Sequence, residues 1–284
     1  MPARADISPL SQLMMRVDAV ADGTAPADGI ATGYPTLDKL LGGGLRRGDL
    51  VVLGGDVGVG KSALALAIAL RSRQAGATVE FMSGEMDLPR VLERVLAMEG
   101  KASIDQIRLG TLDETTRATL GAAAVRLRDT MPNISRLPVG GATDVIAQAA
   151  AVDGAATSLL VIDSLQAMAG TANGALDDEL ALAVRALKAH ALNAHVAVLL
   201  TAHLPSLDRE RSDLRPALDD FGARGAVKQL ADIVLGLFRD ELYAQTPGHE
   251  GATELAVLKN RSGPRSYVDL YFYKQWLRFE DMVE

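Results

Sequence analysis

Residues 54–62 read GGDVGVGKS, and from Gly55 they match G-x-x-x-x-G-K-S. This loop constrains the fold more than any other stretch, because it works only between a strand and the helix that follows it. Both patterns are present: Leu50–Gly54 is an apolar run, and ALALAIAL follows the motif. Gly58 and Gly60 let the backbone bend so that successive N–H groups converge on phosphate oxygens, aided by the positive helix N-terminus. Gly55, Asp56, Val57, Gly58, Val59, Gly60, Lys61 and Ser62 are therefore the candidate phosphate site. Lys61 would reach the β- and γ-phosphates, and the Ser62 hydroxyl would ligate Mg²⁺. The competing reading is a glycine-rich turn with a chance lysine.

Short apolar runs alternate with helical patterns after the loop. Strands are expected at Leu50–Gly54, Thr78–Ser83, Ser158–Asp163, His195–Thr201, Ile233–Phe238, Glu254–Lys259 and Tyr267–Tyr273. Helices are expected at Lys61–Gln74, Leu88–Met98, Thr115–Arg128 and Leu180–Leu192. The first four strands are continuously apolar, as a parallel sheet covered on both faces requires. The last three lack long intervening helices and read as a hairpin-rich edge. Six of the eleven aromatic residues cluster there, and a strand-edge core accounts for them better than a base-stacking platform.

Upstream, Ile7, Leu10, Leu13, Met14, Val17 and Val20 recur at helical steps, so residues 7–20 read as an amphipathic helix. The breaker-rich ADGTAPADG that follows reads as a link. Either the helix packs on its own domain or it is tethered to dock on a neighbouring subunit. The expected organisation is a helical arm and link over 1–28 and one α/β domain over 29–284.

Composition removes several classes. The chain has 284 residues and no cysteine, which excludes disulfides, thiol nucleophiles and iron–sulfur clusters and suits a reducing cytoplasm. No apolar run has the length of a membrane span, so no membrane partner is expected. A net charge of −7 argues against broad adhesion to nucleic acid and leaves only a local basic strip for that purpose.

Carboxylates follow two further strands. Asp163 ends LLVID, and beside a phosphate loop it is placed to hold Mg²⁺ or its waters, although an aspartate there alone is more often a cap or turn residue. Glu85 follows VEFMS, where it either directs the attacking water or caps the helix beginning near Leu88. His203 follows HVAVLLTA, within reach of a γ-phosphate, though most lone histidines have no such role.

The ordered set GYPTLDKLLGGGLRRGDLVVLGGDVGVGKSALALAIA, FMSGEM, VIDSLQAM, RPALDDFGARGAVKQLADIVLGLFRDE and LKNRSGP resembles the ATPase domain of DnaB-type replicative helicases, from about Gly29 to Phe279. The resemblance implies an α/β, RecA-like P-loop fold with a mainly parallel central sheet and an antiparallel C-terminal edge. It implies a hexameric ring that hydrolyses ATP with Mg²⁺ and moves 5′ to 3′ along single-stranded DNA in replication, with a helicase loader as a candidate partner. By the same resemblance Glu85 is the catalytic base and Asp163 the magnesium-linked acid. Lys259 and Arg261 then match the basic pair inserted into the neighbouring subunit's site, and the arm matches the linker helix that clasps adjacent protomers.

Three departures from the family pattern stand out. Set against the resemblance, the sequence is expected to start at the linker helix, with the family's N-terminal helical domain not represented in it. His203 stands where the family has a glutamine that senses the γ-phosphate. Gly222-Ala223 stands where the DNA-contacting loop carries Arg-Glu, leaving Arg224 and Gly225 as the candidate DNA contacts. The alternatives are a RecA-like ATPase of recombination or regulation, and an ATP-binding oligomeric scaffold without unwinding activity.

Overall fold

A computed structural model describes residues 8–25, 27–151, 157–170, 176–243 and 248–282. Among them nine strands form one sheet: β1 (Leu50–Gly55), β2 (Val79–Ser83), β3 (Asn133–Arg136), β4 (Leu159–Asp163), β5 (Ala197–Ala202), β6 (Ile233–Phe238), β7 (Ala252–Asn260), β8 (Tyr267–Tyr273) and β9 (Arg278–Asp281). The order is β3-β2-β4-β5-β1-β6-β7-β8-β9, parallel from β3 to β6 and antiparallel from β6 to β9.

Helices are α1 (Pro9–Ala21), α2 (Pro35–Leu40), α3 (Lys61–Gln74), α4 (Leu88–Gly100), α5 (Ile104–Leu109), α6 (Glu114–Thr130), α7 (Ala142–Ala151), α8 (Leu176–Ala194) and α9 (Ala226–Leu230). The parallel strands β1, β2, β4, β5 and β6 are buried along their length because each face meets a separate core. Val51, Leu53, Phe81 and Val161 face α3, α4 and α6, whereas Val52, Met82, Ile162 and Leu200 face α7 and α8. Helix α3 is apolar all round and lies buried from Ala63 to Leu70, as such a helix must.

Three expectations change. Ile233–Phe238 belongs to both parts of the sheet: it begins the antiparallel edge beside β7, as expected, and it also lies parallel to β1, with Val51 opposite Ile233 and Gly55 opposite Leu237. Only the short α9 precedes it, and its burial on both faces would have distinguished it. The edge strands β3 and β9 were not expected, being four residues each without alternating apolar pattern. The aromatic cluster splits by strand alternation: Phe272 and Phe279 are core, while Tyr267 and Tyr271 face outward.

The arm is helical as expected, beginning at a Ser8 cap, but none of its residues is buried. Leu10, Leu13, Met14, Met15 and Val17 are all exposed, so the arm does not pack its apolar face on its own domain. Ile7 lies outside the described residues.

One close approach ties the strand before the phosphate loop to the chain after β5. A Cβ on Gly54 would stand 2.3 Å from Phe221 Cε1, and that ring is fully enclosed. Gly54→Ala should therefore cost about 1–3 kcal/mol. Adding Phe221→Leu should leave the double variant more stable than the two single costs predict, read from urea unfolding as a double-mutant cycle. Strict additivity would show that the ring relaxes without resistance.

Candidate functional site

The parallel register brings the ends of β1, β2, β4 and β5 to one edge of the sheet. Gly54 is opposite Ala202, and Ser83 is opposite Asp163. Val57, Gly58, Gly60, Lys61, Ser62, Glu85, Asp163 and His203 consequently line one cleft of roughly 290 Å³, together with Ser164, Arg94, Phe272 and Leu277.

Between β1 and α3 the loop turns through positive φ at Gly58 (78°) and Gly60 (107°), the two glycines singled out in the sequence. A Cβ on Gly60 would also meet the Phe279 ring at 2.7 Å. Lys61 is buried, and its Nζ donates to the carbonyls of Gly55 and Asp56, each at 3.0 Å. Burial lowers its pKa, opposed by the charges of Asp163, Glu85 and Asp56. Behind the loop, the buried Arg239 guanidinium donates to the Gly58 and Val59 carbonyls at 3.4 Å. Those carbonyls are thereby drawn to the rear of the loop.

Asp163 is the last residue of β4 and almost fully buried. Its Oδ1 accepts from Ser62 Oγ at 3.0 Å and Thr201 Oγ1 at 2.6 Å, while its Oδ2 is buried without a hydrogen-bond partner. Burial raises its pKa against the pull of the two hydroxyls. An unpaired carboxylate oxygen beside a serine hydroxyl fits a hard divalent cation. Among the described residues no group of three acidic or histidine side chains surrounds a metal position, so phosphate oxygens and water would have to complete the shell.

The two readings of Glu85 separate here. The cap of α4 is Asp87, whose Oδ1 accepts from Arg90 N at 3.2 Å. Glu85 instead turns into the cleft, where its Oε1 accepts from Ser164 Oγ at 2.7 Å and lies 3.1 Å from His203 Nε2. Burial works against its ionisation, but the bonds from Ser164 and His203 outweigh it and hold the pKa below the ordinary value. The His203 backbone N–H donates to Gln166 Oε1 at 3.0 Å, and its Nδ1 is buried without a partner.

Lys259 and Arg261 are not in this cleft. Strand β7 runs antiparallel to β6 and pairs Lys259 with Val234, so the two cations sit where the parallel strands begin. The phosphate loop is at the other end of those strands, roughly 15 Å away at strand rise. Lys259 Nζ donates to the carbonyls of Lys228 (2.7 Å) and Gln229 (3.2 Å) at the end of α9, and Arg261 Nη2 donates to Gln229 O (3.0 Å).

Arg224 and Gly225 lie in a third place, on the loop before α9. Gly222, Ala223, Arg224 and Gly225 all have positive φ, and the N–H groups of Ala223 and Arg224 turn to one carboxylate. The Asp177 carboxylate on the first turn of α8 accepts from Ala223 N at 2.6 Å and Arg224 N at 3.1 Å. Successive backbone N–H groups in a turn form an anion-binding concavity, and here a carboxylate fills it. Next to it, Asp178 pairs with the exposed Arg224 guanidinium at 2.8 and 3.1 Å.

A model of the DnaB-like helicase C-terminal domain matches residues 29–281. The chain belongs to that family. It is 30% identical to the replicative DNA helicase DnaB of Geobacillus stearothermophilus over 258 residues, covering 89% of this chain and 57% of that protein. For the Haemophilus influenzae DnaB the values are 28% over 289 residues, covering 98% and 61%. The chain thus spans little more than half the length of these relatives. Its fold superposes on a solved ATPase domain with a TM-score of 0.87 at 23% identity, covering 98% of this chain and all of that one. A DnaB-like replicative helicase described with its primase interactions gives 0.86 at 23%, covering 98% of this chain and 68% of that one.

Sequence reasoning missed four contributors: Ser164, Thr201, Arg94 and Arg239. Ser164 was visible inside VIDSLQ as a polar residue directly after a buried strand. Arg94 and Arg239 carry no local signal. Arg94 lines the cleft, and among the described residues it makes no hydrogen bond or ion pair. Burial lowers its pKa, and the charges of Asp163 and Glu85 oppose that.

The Ser164 hydroxyl is the foremost of the bonds that hold the Glu85 pKa down. In a carboxyl-resolved NMR titration, Glu85 should titrate below the usual ~4.3 of a glutamate and rise in Ser164→Ala. An unmoved midpoint would show that the hydroxyl does not favour the charged form.

Proposed function

We propose that this chain is the motor domain of a DnaB-like helicase, hydrolysing Mg·ATP between subunits to move along single-stranded DNA. What chiefly supports this is one cleft that joins a P-loop lysine, a carboxylate with an unpaired oxygen and a glutamate held by Ser164 and His203. Lys61 would leave its two carbonyl partners for the β- and γ-phosphates. Ser62 and Asp163 would hold Mg²⁺, which when bound offsets phosphate charge. Glu85, held ionised by Ser164 and His203, would orient and deprotonate the attacking water. His203 would sense the γ-phosphate, since its ring already touches the base.

Lys259 and Arg261 face away from their own cleft, which supports their action on a neighbour's γ-phosphate in a ring, hexameric by family. The uncovered apolar face of α1 supports its role as the clasp between adjacent subunits. DNA phosphates would bind the exposed Arg224 guanidinium beside the concavity that Asp177 fills. For Arg224 that means exchanging Asp178 for a phosphate, a small cost because an exposed pair is worth about 0.2–1 kcal/mol. Action in replication, 5′ to 3′ polarity and a loader belong to the same reading.

ATP turnover should rise on adding single-stranded DNA and vanish in Lys61→Ala. Arg224→Ala should abolish the DNA stimulation while leaving DNA-free turnover intact. Stimulation retained in Arg224→Ala would move DNA binding to another loop. Turnover in Lys61→Ala equal to the parent's would refute the ATPase reading altogether.

Action across the interface has its own check. Lys61→Ala and Arg261→Ala chains, each inactive alone, should regain turnover when mixed, because half of the mixed interfaces pair an intact loop with an intact arginine. Mixtures as inactive as their components would place Arg261 outside the neighbour's site.

A further inference from the structure

Asp56 is the second residue of the phosphate loop, and phosphate binding gives no reason for an acid there. The loop works through N–H groups, a helix N-terminus and a lysine, and a carboxylate beside them repels polyphosphate. Yet its side chain is only 11% exposed and fully engaged. Arg209 Nη1 and Nη2 donate to its two oxygens at 2.9 and 2.8 Å, Tyr243 Oη donates at 3.0 Å, and the Val57 N–H donates at 2.7 Å. Burial disfavours ionisation of Asp56, but these bonds overcome it and keep the carboxyl charged.

Arg209 comes from residues 203–217, the segment that leads from β5 and His203 toward the loop carrying Arg224. Its guanidinium is largely exposed, and among the described residues its hydrogen bonds go only to Asp56. A fork of two parallel N–H···O bonds is the strongest way for a side chain to neutralise a carboxylate.

We infer that Arg209 is a charge-balancing residue: bound to Asp56, it turns an acidic phosphate loop into one that accepts a nucleoside triphosphate. Nucleotide affinity then depends on where the segment before the Arg224 loop sits. This inference rests on the proposed nucleotide site, and it adds a positioning residue outside the loop motif. Arg209 acts on the nucleotide through Asp56.

The test measures Mg·ATP binding to the full chain by calorimetry, and KM against kcat in turnover, for Arg209→Ala, Asp56→Asn and the double variant, with Lys61→Ala as reference. Arg209→Ala should weaken ATP binding about tenfold, as an uncompensated charge several ångströms from polyphosphate does at an effective dielectric of about 20. The loss should appear in KM rather than kcat and shrink at high salt. Asp56→Asn in the Arg209→Ala background should restore affinity to within about threefold of the parent, a rescue that a folding defect would not permit.

Affinity in Arg209→Ala within twofold of the parent, or a double variant as weak as Arg209→Ala alone, overturns the inference. If the parent binds no ATP, or Lys61→Ala binds it equally well, the nucleotide site itself fails and the inference falls with it. A parent that binds and depends on Lys61, beside an unaffected Arg209→Ala, removes only the role of Arg209.

Discussion

Everything at this site depends on the Asp163 carboxylate and the two hydroxyls that converge on it. Ser62 arrives from the first turn of α3, Thr201 from β5, and Asp163 itself ends β4. Three elements are thus joined through one oxygen, in a place too buried to tolerate an unpaired carboxylate cheaply. Using both donors on Oδ1 leaves Oδ2 free and raises the pKa, a combination that a cation relieves. The parallel register makes this possible, because in-register strands bring their C-terminal ends to the same edge.

Charge is distributed around that centre by three different devices. Lys61 rests on carbonyls rather than on carboxylates, so it is not neutralised by a side chain. Arg239 is buried against Glu241 and an aromatic face while it holds the back of the loop. Arg224, by contrast, is on the surface and paired with Asp178, where exchange of partners costs little. At the far end of the sheet, Lys259 and Arg261 share the C-terminal carbonyls of α9. The residue before that helix is Gly225, so one short helix stands between the candidate DNA loop and the two cations.

Much of the fold was legible because the signals were local. Lys61–Gln74 and Tyr267–Tyr273 have the expected bounds, since an apolar helical run after a glycine loop and a stretch rich in aromatic strand formers each point to one element. Strand β6 begins the hairpin edge as expected, but its parallel pairing with β1 was not legible, because its own residues do not encode which neighbour it meets. The strands β3 and β9 are short edge pieces whose pairing comes from their neighbours. Family membership was also legible, since it rests on the order of several motifs.

What the sequence by itself determined was the phosphate loop, its strand and helix, and the residues grouped at the ends of the parallel strands. Those follow from spacing and from apolar runs, which a chain carries along its length. Only the tertiary structure decided that Asp87 rather than Glu85 caps α4, that Glu85 meets Ser164 and His203, and that Lys259 and Arg261 lie away from their own cleft. It alone joined Asp56 to Arg209 across 153 residues. The physical reason is that hydrogen bonds and charges act over a few ångströms in space, whereas sequence patterns report only on neighbours along the chain.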